Sequence, residues 1–388
     1  DIQCRFLKDE LQVAQARFNY QDQVLDVEGL LDFHTEEAVI QLFSNLPETH
    51  WRSIIPMEWR KKWEEGGYVF QGLMECDLLM GPAPWNKLDE TVRGQLRFEQ
   101  AEVRGVWFEQ LYSDFERNGS HYTLTNLDAV VGRALKQGPL EGWLRWDTES
   151  HEYQGAIDAR FDPNAFVHLL STKDQQLVRK MQFPEGPPRV DIEVAGVGGN
   201  PQAAGWHGRF SATNALYNGD YLDAIHAPVR MTNLVFVMDP LTIVKKEGTM
   251  VGRTQNDFNK KLYTIKADSS IDLSDLSRMI SPLTERNLKY YRTEGQVQAH
   301  IDGVIDYGNI ALTDFTIVGE GKDFGVHWFV AEEARLKLHA KGPRVEVTDI
   351  EGVLYGGDVA MNVVVDGLGS TTNVSYDIDF AFTNVAFD

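Results

Sequence analysis

Cysteine is nearly missing from this sequence: Cys4 and Cys76 are the only two in 388 residues. Two thiols so far apart in sequence cannot build a zinc knuckle, and one bridge is too few for a disulfide framework. Whether they bond to each other stays open at the level of sequence. Long apolar runs are missing too, and none reaches the roughly 18 residues that a membrane-spanning helix needs. Positive charge is scarce, with 37 Lys and Arg against 58 Asp and Glu and a net charge of -21. This balance argues against a nucleic-acid partner, because counterion release needs clustered Lys and Arg. It also argues against electrostatic docking on anionic headgroups. The surplus acid reads as a solvated outer face. The chain opens at Asp1 without Met or a signal peptide, and we read it as a piece of a longer protein.

Signatures of catalysis are absent as well. There is no G-x-S-x-G, no H-E-x-x-H, no phosphate loop and no G-x-G-x-x-G opening a helix. AGVGGN at 195–200 leaves a strand toward Pro201 and reads as a loop. His151 beside Glu152 reads as strand surface. Asp377 and Asp379 share a strand face, but among 58 acidic residues such pairs arise by chance. Asn118-Gly-Ser120 and Asn373-Val-Ser375 are glycosylation-type triplets of low specificity. No catalytic residue, no metal-ligand set and no cofactor is assigned.

What the chain does have is alternation. Val359, Met361, Val363 and Val365 alternate with Asp358, Ala360, Asn362 and Val364. Val374, Tyr376, Ile378, Phe380 and Phe382 alternate with Ser375, Asp377, Asp379 and Ala381. Period two over such lengths means strands with one apolar face, and the GLGSTTN break makes them an antiparallel pair. Gly356-Gly357 is the turn leading into the first. The same pattern recurs at Val190, Ile192 and Val194; at Trp206 and Phe210; at Val297, Ala299 and Ile301; and at Leu336 and Leu338. Leu140, Leu144 and Trp146 follow it more loosely.

Helical signals interrupt the strands at three places. EEAVIQLFSNL puts Ala38, Val39, Leu42, Phe43 and Leu46 on one helical face with Thr35 as N-cap, and a second helical stretch continues through 48–65 to Gly66-Gly67. FDPNAFVHLL at 161–170 has an Asp cap and Pro at the first helical position, followed by KDQQLVRKM at 173–181. IDLSDLSRMI at 271–280 repeats the theme, followed by LTERNLKYY at 283–291. Phe33, Phe161 and Ile271 are placed as equivalent points. The expected organisation is three β units, 1–160 (helical insert at about 35–65), 161–270 and 271–388. The expected fold is mainly β: an elongated, curled antiparallel β-sheet groove with short helix pairs at the unit boundaries.

Strands curling in one direction would line a continuous trough with these apolar positions. Some fifteen strands spaced about 4.8 Å apart would make it roughly 70 Å long. Acyl chains are the natural filler, each buried methylene being worth about 0.8 kcal/mol. Period two fits a closed sandwich equally well. That alternative is a non-enzymatic structural or assembly factor whose strand edges pair with a partner. The nine Trp raise a glycan-binding reading, but they gather partly in the helical stretch 51–63 rather than along one strand face.

YGGDV at Tyr355–Val359, preceded by VTDIEGVL, resembles the C-terminal signature of the AsmA-like family. WHGRFSATNALYNGDYL at 206–222 and VRGQLRFEQAEVRGVWF at 92–108 are fainter echoes. The resemblance covers about residues 24–388; the first unit departs from it in the Trp51–Trp63 insert and in lacking Tyr-Gly-Gly. It implies a periplasmic β-groove segment of a bridge-type lipid transfer protein, tethered to the inner membrane by an anchor helix outside this chain. The implied ligand is phospholipid or another acyl lipid, with envelope proteins as possible partners. No catalytic residue of the family carries over.

Overall fold

In the computed structural model the described residues are 2–47, 49–51, 57–133, 137–169, 175, 179–272, 291–293, 297–326, 329–367 and 374–384. The first strands are β1 (Ile2–Leu7), β2 (Glu10–Tyr20), β3 (Gln23–Asp32), β4 (Glu37–Ser44), β5 (Tyr68–Phe70), β6 (Met74–Pro84), β7 (Thr91–Val103) and β8 (Val106–Asn118). There follow β9 (His121–Val131), β10 (Gly138–Asp147), β11 (Glu152–Ala159), β12 (Met181–Gln182), β13 (Arg189–Val197), β14 (Asn200–Tyr217), β15 (Asp220–Thr232), β16 (Val235–Lys245) and β17 (Gly248–Asp257). The last are β18 (Leu262–Ser269), β19 (Tyr291–Thr293), β20 (Val297–Asp306), β21 (Asp314–Val326), β22 (Phe329–Lys341), β23 (Arg344–Leu354), β24 (Gly357–Asp366) and β25 (Ser375–Thr383). All belong to one antiparallel sheet that does not close into a barrel. The mainly β expectation holds. The chain divides into two compact units, Asp1–Arg179 with Pro187–Trp206, and Lys180–Gly186 with His207–Asp388.

The helix expected over EEAVIQLFSNL is a correction: Glu37–Ser44 is strand β4. Both periods fit this stretch, because Ala38, Ile40, Leu42 and Ser44 alternate while Ala38, Val39, Leu42 and Phe43 fit a helix. The turn before it decides. Asp32 Oδ1 accepts the N–H groups of His34 (2.7 Å) and Thr35 (3.1 Å), so Thr35 is a turn residue and not a cap. Glu36 takes the left-handed conformation (φ 59°) and folds β4 back on β3 in a ladder from Asp32–Glu37 to Leu25–Ser44. On its other edge β4 pairs with β6. Adjacent β-branched Val39 and Ile40 favour this outcome.

Helix α1 (Met57–Glu65) does form, and it stops where Gly67 (φ 72°) donates its N–H to the Glu64 carbonyl. The FDPNAFVHLL helix is a short 3-10 turn, Pro163–Leu169, with the Asp162 carboxylate accepting the Asn164 N–H at 2.9 Å. Of KDQQLVRKM, 173–174 and 176–178 lie outside the described residues; the Arg179 N–H reaches the Gln175 carbonyl at 3.0 Å, and Met181 is strand β12 rather than helix. IDLSDLSRMI beyond Asp272 and LTERNLKYY before Tyr291 lie outside the described residues, as does Pro56. AGVGGN is corrected in part, since strand continues to Val197 and only Gly198-Gly199 turn.

One wiring pattern occurs three times. β4 pairs with β6 while β5 pairs with β7. β11 pairs with β13 while β12 pairs with β14. β18 pairs with β20 while β19 pairs with β21. Each time the skipped position is a strand of only two or three residues. At two of the exits a buried serine holds the chain: Ser44 Oγ accepts the Leu46 N–H at 3.2 Å, and Ser269 Oγ accepts the Ile271 N–H at 3.1 Å. Leu46 and Ile271 are buried just beyond. The point equivalent to Ile271 is therefore Leu46, not Phe33.

Register shifts bend the ladders at several places, among them Val13/Ala16, Tyr112/Asp114, Arg335/Lys337 and Val347/Ile350. Asn126 (φ 51°) and Asp349 (φ 54°) sit at such bulges, which add twist to the strand that carries them. Cys4 and Cys76 are both free thiols. Burial pushes the Cys76 thiol up to about 12, so it is protonated and inert at neutral pH.

Candidate functional site

Directly opposed residues of an antiparallel pair point to the same side of the sheet. The registers can therefore be followed from strand to strand. In the first unit one such row runs Ile2, Ala16, Val27, Leu42, Leu78, Gly94, Phe115, Leu124, Leu144, Gly155, Val194. Every member is apolar. A neighbouring row joins Leu127, Gly142, Ile157 and Ile192, and the next joins Ala129, Leu140, Ala159 and Val190. Val190, Ile192 and Val194 thus share one face with residues from ten other strands.

The second unit repeats this arrangement. A row runs Leu241, Gly252, Ala267, Ile301, Ile317, Leu338, Val347, Val363, Ile378. Flanking rows join Phe315, Ala340, Val345, Val365 and Tyr376, and join Val297, Gly321, Ala334, Gly352, Val359 and Phe382. Met361 lies between Ile350 and Phe380, and Leu336 opposes Gly319. The candidates of β20 to β25 are therefore brought together on one face. Val374 lies just before β25 and is exposed. Trp206 and Phe210 lie four residues apart on β14, both half-buried.

The opposite face carries cross-strand pairs of charged and polar side chains. Arg344 meets Glu346 at 2.7 Å and Asp366 at 2.9 Å, which holds the Glu346 carboxyl below its usual range and raises the guanidinium. Lys266–Asp302, His300–Asp268 and His339–Asp314 are further cross-strand pairs at 3.7, 2.7 and 2.9 Å. His151 sits at a turn (φ 61°) with its carbonyl accepting the Gly198 N–H, so it is not strand surface.

Burial separates this apolar face from a closed core. Val27, Leu42, Leu78, Phe115, Leu124, Leu144 and Val194 are half-buried, although they occupy the middle of their strands. The same holds for Ile317, Leu338, Val347 and Val363. Full burial occurs at one end of the first unit, where Val106, Ala129, Val131, Leu140 and Ala159 cluster beneath Phe161 and the helical turn's Phe166, and in the second unit at Leu241, Ala267, Ile301, Val297 and Ala334 of the rows above. The Phe161 and Phe166 rings pack at 4.9 Å. Toward the other ends of β9 to β11, Tyr122, Trp146 and Tyr153 form an aromatic rung, with Tyr122 and Trp146 stacked at 4.9 Å and the Arg117 guanidinium 5.2 Å above Tyr122. Among the described residues, no second sheet covers either face.

Sequence reading missed Leu42, Leu78, Phe115, Leu124, Ile157, Ile317, Val345, Val347 and Ile350. Val345 and Val347 alternate with Glu346 and Thr348 in plain view; Leu42 was hidden by its helical spacing. Among the described residues, no group of three His, Cys, Asp or Glu stands ready to hold a metal, and no helix is long and apolar enough to cross a membrane. The Tyr355-Gly356 step is a two-residue hairpin turn between Leu354 and Gly357 with both φ values positive (48° and 71°). Gly356 carries the Gly preference of that turn type. Comparisons of the chain with protein-family profiles, with curated proteins and with solved structures find no match.

Proposed function

We propose that the apolar face of each unit is a trough for the acyl chains of phospholipid, and that the chain is a non-enzymatic segment of an AsmA-like, bridge-type lipid carrier of the bacterial periplasm. In this reading the polar face stands in water, no cofactor takes part and the acyl chains slide along the rows. One observation carries the reading: along the rows, Val27, Leu42, Leu78, Phe115, Leu124, Leu144 and Val194 of the first unit and Ile317, Leu338, Val347 and Val363 of the second are only half-buried, where a closed sandwich would bury them completely. A row of Leu, Phe and Val left facing water over so many strands is unfavourable by about 25 cal/mol per Å2, and acyl chains remove that cost. The tight Tyr355-Gly356 hairpin, at the residues that resemble the family signature, leads into the last strand pair of the apolar face.

The test is native mass spectrometry of the chain purified from bacterial periplasm, followed by lipid extraction. Several phospholipids per chain are expected. Met361→Asp and Leu144→Asp variants should keep their β circular dichroism and lose lipid. A stable chain that carries no lipid under gentle extraction would overturn the reading and leave the envelope structural factor in its place.

A further inference from the structure

The apolar face of the first unit has two unlike ends along β9, β10 and β11. At one end Ala129, Leu140 and Ala159 are closed by Ala165 and Phe166. At the other end the registers set a row of Val92, Arg117, Tyr122, Trp146, Tyr153 and Gly196. Each of these lies two residues from a member of the apolar row through Phe115, Leu124 and Leu144, so both rows share one face. Tyr122 and Trp146 stack at 4.9 Å with their planes 12° apart, and Phe115 lies 6.3 Å from Tyr122. Tyr153 lies across the next strand, where a Cβ on Gly196 would meet its hydroxyl at 2.7 Å. Tyr122, Trp146 and Tyr153 are all half-buried. Their hydroxyls and indole N–H form no hydrogen bond to another of the described residues. The Arg117 guanidinium stands 5.2 Å over the Tyr122 ring, meets Asp89 at 2.7 Å and donates to the Gly119 carbonyl at 3.1 Å.

Aromatic rings with a polar handle settle where hydrocarbon meets water. Here they stand at one end of an apolar surface whose other end is closed. From Leu140 to Trp146 is six steps along β10, roughly 20 Å at about 3.4 Å each. The acyl chains of one leaflet span about 15 Å, half of a bilayer core of about 30 Å. We propose that the Arg117–Tyr122–Trp146–Tyr153 row seats the glycerophosphate end of a phospholipid, whose acyl chains lie along β9 to β11 with their methyl ends toward Phe166. The chemistry is complementary. The two tyrosine hydroxyls and the indole N–H are donors without a protein acceptor, and phosphate and ester carbonyl oxygens are acceptors without a donor. Arg117 adds a charged donor for the phosphodiester. The strands then set the direction of the chains, and the rows set the direction in which the lipid moves. This inference rests on the acyl-chain reading of the face, and adds to it an orientation and the residues that fix it.

Two experiments test it on the whole chain. Phosphatidylcholine with a single diazirine, placed either beside the ester or at the methyl end of a chain, is photolysed on the protein, and the adducts are located by mass spectrometry. The ester-end probe should label Tyr122, Trp146 and Tyr153, and the methyl-end probe should label Leu127, Ile157 and Phe166. Identical or exchanged patterns would overturn the orientation and leave the lipid reading standing, whereas no adduct with either probe would overturn both. In the second experiment, the double variant Tyr122→Phe with Tyr153→Phe keeps the rings and removes two donors. Phosphatidylcholine binding should weaken about 10-fold, while binding of a pyrene-labelled alkane, which has no acceptor, should not change. Unchanged phosphatidylcholine affinity, or an equal loss for both ligands, would overturn the seat.

Discussion

Two regions of one apolar face behave differently in the first unit. Toward one end of β9, β10 and β11, Ala129, Leu140 and Ala159 are sealed beneath Phe161 and Phe166. A few residues along the same strands, Leu124 and Leu144 sit half-open. The alternation is the same and so are the residue types. The difference is what packs on them: Ala165 and Phe166 of the helical turn Pro163–Leu169 close the sealed region. Enclosure makes a core, and lack of it leaves an apolar surface.

Substitutions can break this contrast or sharpen it. The largest effect is expected where charge is enclosed. Lys245 and Asp220 pair at 2.5 Å with side chains only 4% and 9% exposed. Asp220→Ala takes the carboxylate away from a buried ammonium and should cost about 3–5 kcal/mol in urea unfolding; a loss below about 1 kcal/mol would show that the pair is not enclosed. Next comes Leu140→Ala in the sealed region, expected at about 2–4 kcal/mol by the same assay.

Leu144→Ala in the open region should cost less than about 2 kcal/mol, because Leu144 is only partly buried and leaves a smaller cavity than Leu140. Its phospholipid occupancy should nevertheless fall, whereas that of Leu140→Ala should not, once each is measured under conditions where it is folded. Equal stability losses at the two positions would erase the distinction between core and trough.

The smallest effect concerns acid. The Asp147 carboxyl is lowered to about 2 by the N–H of Ser150, with further help from the Ser120 hydroxyl, the Glu149 N–H and His121. Its ordinary value is 3.8, so its stabilising contribution is complete above that value and is lost as pH falls toward 2. Asp147→Asn should flatten the loss of thermal stability between about pH 4 and 2 and leave the open and sealed regions unchanged. An identical acid profile in the variant would remove Asp147 from the account.

Much of the fold was legible in the residues. Strands such as β13, β20 and β24 show strict alternation, and β-branched residues with Gly or Asn punctuation bound them. β4 was not legible, since its residues satisfy two periods and only the Asp32-anchored turn and pairing with β6 choose between them. The face shared by Val194 and Leu78 was also hidden, because membership of a row depends on register over many strands, including bulges at Asn126 and Asp349 that no period reveals.

The sequence by itself determined that this is an acidic, strand-rich chain whose strands each have one apolar side. That follows from local sterics and period two, which need no knowledge of neighbours. Only tertiary structure decided which apolar sides join into rows and which parts of those rows are sealed. Those outcomes depend on long-range register and on segments folding over a distant strand, and solvent exposure is a property of that assembly rather than of any residue in it.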